Sequence, residues 1–199
     1  MATSTAFQRF RNSYFENPRR DGPDLAVLDQ LTVEERGLAE AQLVQALRGE
    51  SLYAIRALAH LNSRAAVPIL QGMLPKAKGV TRVWIASALW QIERDETVIE
   101  CLLDALKKKW FGGGSARFEA AIALGAIPEG RVFRALTEAS REPDAVVSAN
   151  ALRSLALICD LEDAYWAYDR QSSVSAEAFQ AAERDLRRRI EAVGAEKGW

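Results

Sequence analysis

Residues Ile85 to Ile92 read IASALWQI, and the spacing inside this stretch decides the fold. Its kernel is a small residue, a Leu, two variable positions and another aliphatic. The kernel occurs as Ala57-Leu58-x-x-Leu61, Ala88-Leu89-x-x-Ile92, Ala123-Leu124-x-x-Ile127 and Ser154-Leu155-x-x-Ile158. Leu58, Leu89, Leu124 and Leu155 follow one another at intervals of 31, 35 and 31 residues. Such an interval holds one helix-turn-helix unit, which cannot bury its apolar face alone, so its recurrence predicts an all-α stacked array.

Outward from the kernels, four helix pairs are expected, at 51–61 with 63–74, 81–92 with 95–108, 115–127 with 130–140, and 144–158 with 161–170. First helices are rich in Ala, which lets neighbours approach. Second helices carry larger aliphatics such as Leu70, Leu102, Leu106 and Leu136. Ahead of the array, Thr5 and Gln8 have capping-box spacing, and Phe7, Phe10 and Tyr14 form an aromatic stripe. Asn17-Pro18 and Asp21-Gly22-Pro23 make a connector. A short helix is expected at 24–31. Thr32 with Glu35 then caps a longer one reaching Arg48, with Leu38, Leu43, Ala46 and Leu47 inward. At the other end Phe179, Ala182, Leu186, Ile190 and Val193 form one narrow stripe on a charged helix, the pattern of an end cap. The whole reads as a single domain, 1–199, with an N-terminal helix and connector at 1–23, repeats at 24–170 and a C-terminal cap at 171–199.

Twenty-six basic and 27 acidic residues leave a net charge of −1, so there is no global field that draws the chain to nucleic acid or anionic lipid. Cys101 and Cys159 lie in apolar helical pattern and read as buried free thiols of a reducing compartment. The first residues lack an apolar signal region, and no eighteen-residue apolar run occurs. These features lead to the expectation of a soluble, cytoplasmic protein without a membrane partner. His60 is the sole histidine, which excludes a His-rich metal site and leaves one residue for any Ser-His-Asp or Cys-His arrangement. No metal or cofactor is expected.

The repeats resemble HEAT repeats, in particular the short bacterial type named after the phycobilisome-lyase HEAT-like group. That pattern is V-R-x-x-A-A-x-A-L-G-x-L followed by a helix with A-V-P-x-L-x-x-x-L. Arg82 to Leu89, Arg117 to Gly125 and Ala66-Val67-Pro68-Ile69-Leu70 match it, and the likeness covers roughly residues 50 to 160. It implies a right-handed α-solenoid of about four helix pairs. Trp90 departs from the pattern by standing where Gly125 stands in the next repeat, and it either fills space left by altered stacking or reaches the surface. The 35-residue interval contains Lys107-Lys108-Lys109-Trp110-Phe111-Gly112-Gly113-Gly114, read as a loop.

Two surfaces are candidates for partner binding. In the loop, Trp110 and Phe111 either anchor an interface or fold back on the preceding helix. On the second helices, Glu96, Glu100 and Asp104 recur every four residues, Arg131, Arg134 and Arg141 share a side, and Trp166 and Arg170 follow. The other reading of these charges is an ordinary solvated face. An acidic stripe beside a basic one suits a protein of mixed charge better than a phosphate backbone. HEAT-like arrays include bacterial immunity proteins, so the resemblance implies a non-enzymatic inhibitor of a nearby-encoded toxin or effector. The alternatives are an adaptor subunit and a DNA-binding protein of the alkylpurine DNA glycosylase type.

Overall fold

The structure, a computed structural model, describes residues 4–16, 24–48, 51–108 and 114–199. The described residues are helical throughout their ordered elements, and they divide into two compact units, Met1–Val98 and Ile99–Trp199.

In the first unit, α1 (Thr5–Arg11) continues into a π-helical turn at Asn12–Glu16. Next come α2 (Ala26–Asp29), α3 (Val33–Arg48) and α4 (Leu52–His60). A 3-10 turn at Arg64–Ala66 leads into α5 (Val67–Met73), and α6 (Gly79–Glu93) ends the unit. Ser4 caps α1 by accepting from the Phe7 amide, a role the sequence assigns to Thr5. Ser4 also gives its own amide to Glu35 Oε1 at 2.9 Å. The Thr32–Glu35 capping box is formed: Thr32 N donates to Glu35 Oε2 at 3.1 Å and Glu35 N to Thr32 Oγ1 at 3.3 Å. In α3 the inward residues are Ala39, Leu43 and Leu47. Leu38, expected inward, is 55 % exposed, because the buried stripe follows an i, i+4 line one position further on. Ser63 does not cap the helix after it; its hydroxyl is turned onto Glu40 of α3.

α4 packs on α3 and on α6, and α5 on α6. Ala57, Leu58, Ala88 and Leu89 lie at these contacts and are buried, as is Ile92, while Leu61 is half-buried. Trp90 is also buried, so it fills space and does not reach outward. Arg94, in the left-handed region at φ 57°, ends α6 and sets its guanidinium 5.3 Å from the Trp90 ring centroid. A left-handed non-glycine residue costs about 1 kcal/mol or more, and the cation–π contact offsets part of that. Asn62 (φ 55°) and Asp160 (φ 57°) sit at equivalent places after α4 and α10, in residue types whose short polar side chains tolerate this conformation.

The second unit holds most of α7 (Thr97–Lys107), then α8 (Gly114–Leu124), α9 (Gly130–Ala139), α10 (Ala145–Ile158), α11 (Glu162–Gln171) and α12 (Ala176–Glu196). Asp95 accepts from the Thr97 amide, Asp144 caps α10 and Ser175 caps α12, so these three helices start where a cap-forming side chain stands. α8 and α9 both pack on α10, and α10 contacts α11 and α12. Gly125, just after α8, lies close against α10: a Cβ there would come 2.7 Å from Ser154 Oγ. The pattern glycine and the small kernel residue Ser154 thus serve one close contact. α12 buries Leu186 and Ile190 of the stripe read from the sequence, and Gly194 beside them, while Phe179, Ala182 and Val193 are half-buried.

Candidate functional site

The candidate surface is built from the second helices. Within the second unit these supply Glu100 and Asp104 from α7, Arg131 and Arg134 from α9, and Trp166 and Arg170 from α11, all exposed. Glu96, also exposed, lies just before α7 and belongs to the first unit. Trp110 and Phe111 lie outside the described residues.

The structure brings Glu100 and Arg131 together. Arg131 Nη1 donates to Glu100 Oε1 at 2.8 Å and its Nε to Glu129 Oε2 at 2.8 Å. The hydrogen bond to Glu129 is the first cause that holds the Arg131 guanidinium above its ordinary range, with the Glu100 charge adding to it. Acidic and basic stripes therefore meet as an ion pair within the chain. An exposed pair of this kind contributes about 0–1 kcal/mol, so a partner can exchange it at little cost.

Arg141 departs from the expected stripe. α9 ends at Ala139, so Arg141 stands beyond the helix, where its Nη2 meets Glu191 Oε1 of α12 at 3.1 Å. Next to it, Arg187 of α12 donates to the Ser140 carbonyl at 2.8 Å and to Ser140 Oγ at 2.9 Å. This closes the C-terminal end of α9. Further along, Phe133 of α9 packs at a tilt on Trp199 at 5.4 Å between centroids, and Lys197 lies 4.7 Å from the Trp199 ring centroid. The sequence marked α12 as an end cap but gave no sign that it reaches back to α9, because Glu191, Arg187 and Trp199 carry no periodic signal.

Trp166 is 38 % exposed. Arg153 of α10 sits 5.1 Å from its ring centroid, Tyr165 packs edge-on at 5.3 Å, and its Nε1 donates to Glu162 at 3.4 Å. Arg153 was not among the residues singled out by sequence; it fixes the face that Trp166 presents. The phenols of Tyr165 and Tyr168 behind it are raised by burial, Tyr168 to about 12.

The two arginines of the repeat pattern separate in role. Arg117 is buried, donates through Nε to the Leu106 carbonyl at 2.8 Å, and pairs with Glu142 while Asp144 stands 3.9 Å away. It seals the end of α7 and ties two connections together. Arg82 is exposed. His60 Nε2 lies 2.8 Å from Asp29 Oδ1, and Arg36 is 3.8 Å from the same oxygen. Cys159 is buried, which pushes its thiol up to about 11, and Cys101 is half-buried. Among the described residues no group of three or more His, Cys, Asp or Glu is placed to hold a metal ion, and no helix is long and apolar enough to cross a membrane.

Comparison with models of known protein families, with curated proteins and with solved structures finds no match to this chain.

Proposed function

We propose that the chain is a non-enzymatic protein-binding module whose helix pairs are HEAT-like, stacked as a right-handed α-solenoid of about four pairs. Most concretely, it is an inhibitor that binds and neutralises a bacterial toxin or effector encoded nearby, in the cytoplasm. The observation that carries the stacked reading is a recurrence in the polar contacts. Ser4 meets Glu35, Asp29 meets His60 and Glu100 meets Arg131, each pair 31 residues apart. That separation equals two of the three kernel intervals, as expected where equivalent positions of successive units lie over one another. It also draws α2 and α3 into the same spacing.

In such a stack the second helices share a face. Glu100, Asp104, Arg131, Arg134 and Trp166 supply charge of both signs and one aromatic held by Arg153, a composition suited to a protein surface. Inhibition then follows from coverage: the face or the 107–114 segment excludes substrate from the partner's cleft. The test is size-exclusion chromatography of this protein mixed with the product of the adjacent gene. A stoichiometric complex is expected; two separate peaks at micromolar concentration would refute the inhibitor reading.

A further inference from the structure

The polar residues of α3 divide by the side of the helix on which they stand. Glu35 accepts the Ser4 amide, Glu40 accepts the Ser63 hydroxyl and Arg36 lies 3.8 Å from Asp29, so each of these is engaged within the first unit. Another side carries Glu34, Leu38, Ala41, Gln45 and Arg48, all exposed and spaced four, three, four and three residues apart. That alternation is a heptad seam, the spacing by which one helix lies along another. At 1.5 Å per residue it runs for about 21 Å.

The seam is open. Leu38 is 55 % exposed and Val33, at its edge, 90 %. Nothing stands within 4 Å of a Cβ built on Gly37, which lies on the same side. Among the described residues, none makes a hydrogen bond or ion pair with the side chain of Glu34, Gln45 or Arg48.

The order of residues along the seam identifies what covers it. Glu34 and Arg48 stand at its two ends, each seven residues from Ala41. Two copies laid antiparallel across Ala41 bring Glu34 of each to Arg48 of the other, and the small central residue lets the two helices approach. Leu38 of each copy then meets the Ala41 and Val44 side of the other. A parallel pair opposes Glu34 to Glu34 and Arg48 to Arg48, which is repulsive at both ends. Glu34 in the first turn and Arg48 in the last also suit the helix dipole, but the dipole does not account for Leu38 exposed between them.

We propose that α3 is the contact of a symmetric, antiparallel homodimer in which Glu34 and Arg48 pair reciprocally about Ala41. A single helix face of this length covers less than the roughly 1,000 Å² of a stable interface, so the dimer is weak and reversible. The inference uses none of the residues of the second-helix face and does not depend on a toxin or effector.

The experiment is sedimentation velocity of the full chain from about 10 μM to about 1 mM, the range in which a weak dimer forms. The dimer fraction should rise with concentration. Glu34→Arg and Arg48→Glu each put like charges at both ends of the seam and should weaken association about tenfold or more, as should Leu38→Gln. An equimolar mixture of the Glu34→Arg and Arg48→Glu variants should recover a dimer, because one seam is then wholly basic at its ends and the other wholly acidic. Recovery by mixing separates pairing across the interface from an effect of either charge on its own helix. Circular dichroism verifies that each variant is folded. A monomer at 1 mM, a dimer that the three variants leave unchanged, or a mixture that stays monomeric would overturn the proposal.

Discussion

Gly194 of α12 lies so close to Phe133 of α9 that a Cβ on it would come 2.4 Å from the ring's Cζ. The aromatic contact between Phe133 and Trp199 is made beside this point, so one glycine sets how α12 seats against the rest of the second unit. Gly194→Ala must push the ring or the helix aside, which overpacks a filled site at a cost of about 1–3 kcal/mol. Gly37, exposed within α3 with no atom within 4 Å of a built Cβ, is the control: Gly37→Ala should stabilise by about 0.5–1 kcal/mol. Thermal melts of the two variants check both signs.

Arg117 of α8 is the buried charge that meets the end of α7 at the Leu106 carbonyl. Arg117→Met removes the guanidinium that pairs with Glu142 and the donor to the Leu106 carbonyl, and removal of one member of a buried pair costs about 3–5 kcal/mol. Arg117→Lys keeps the charge but lacks the planar fork that reaches a carbonyl and a carboxylate together, so it should recover only part of the loss. Urea denaturation measures the series.

Tyr14→Phe should be neutral or stabilising by about 1 kcal/mol, because the hydroxyl it removes is buried without a partner. Burial, aided by Asp24, raises the Tyr14 phenol above its ordinary value near 10. A raised folded-state value favours the protonated form, so the contribution is full below pH 10 and is lost as pH rises beyond it. Tyr165 and Tyr168 act in the same direction. Stability should therefore fall above pH 10, less steeply in Tyr14→Phe, as followed by circular dichroism.

How much of this was legible in sequence depends on whether a residue's signal is periodic. The kernels at Leu58, Leu89, Leu124 and Leu155 are legible because each stands at an inward position of its own helix, and all four are buried. The Thr32–Glu35 capping box is equally readable, since it depends on the few residues beside it. Leu38 was misplaced because Leu38 and Ala39 each start an acceptable apolar line and only packing decides between them. Arg141 is grouped with Arg131 and Arg134 by helical spacing, but α9 ends two residues before it, and there it meets Glu191, fifty residues away. Trp90 offered two readings, and its burial under Arg94 selects one.

The two thiols should differ in reactivity. Cys159 is buried and its thiolate is disfavoured, whereas Cys101 is partly accessible. Timed labelling with a maleimide should modify Cys101 first and reach Cys159 only at the rate of unfolding. Equal rates would mean that the α10 end is open in solution.

The most direct measurement of protein binding through the second-helix face is the affinity of the Trp166→Ala/Arg170→Ala variant for the adjacent gene product by calorimetry. An aromatic anchor at an interface makes a loss of about tenfold or more the expected result, with the melting temperature within a few degrees of the parent. An unchanged dissociation constant in a variant that remains folded would contradict the assignment of this face.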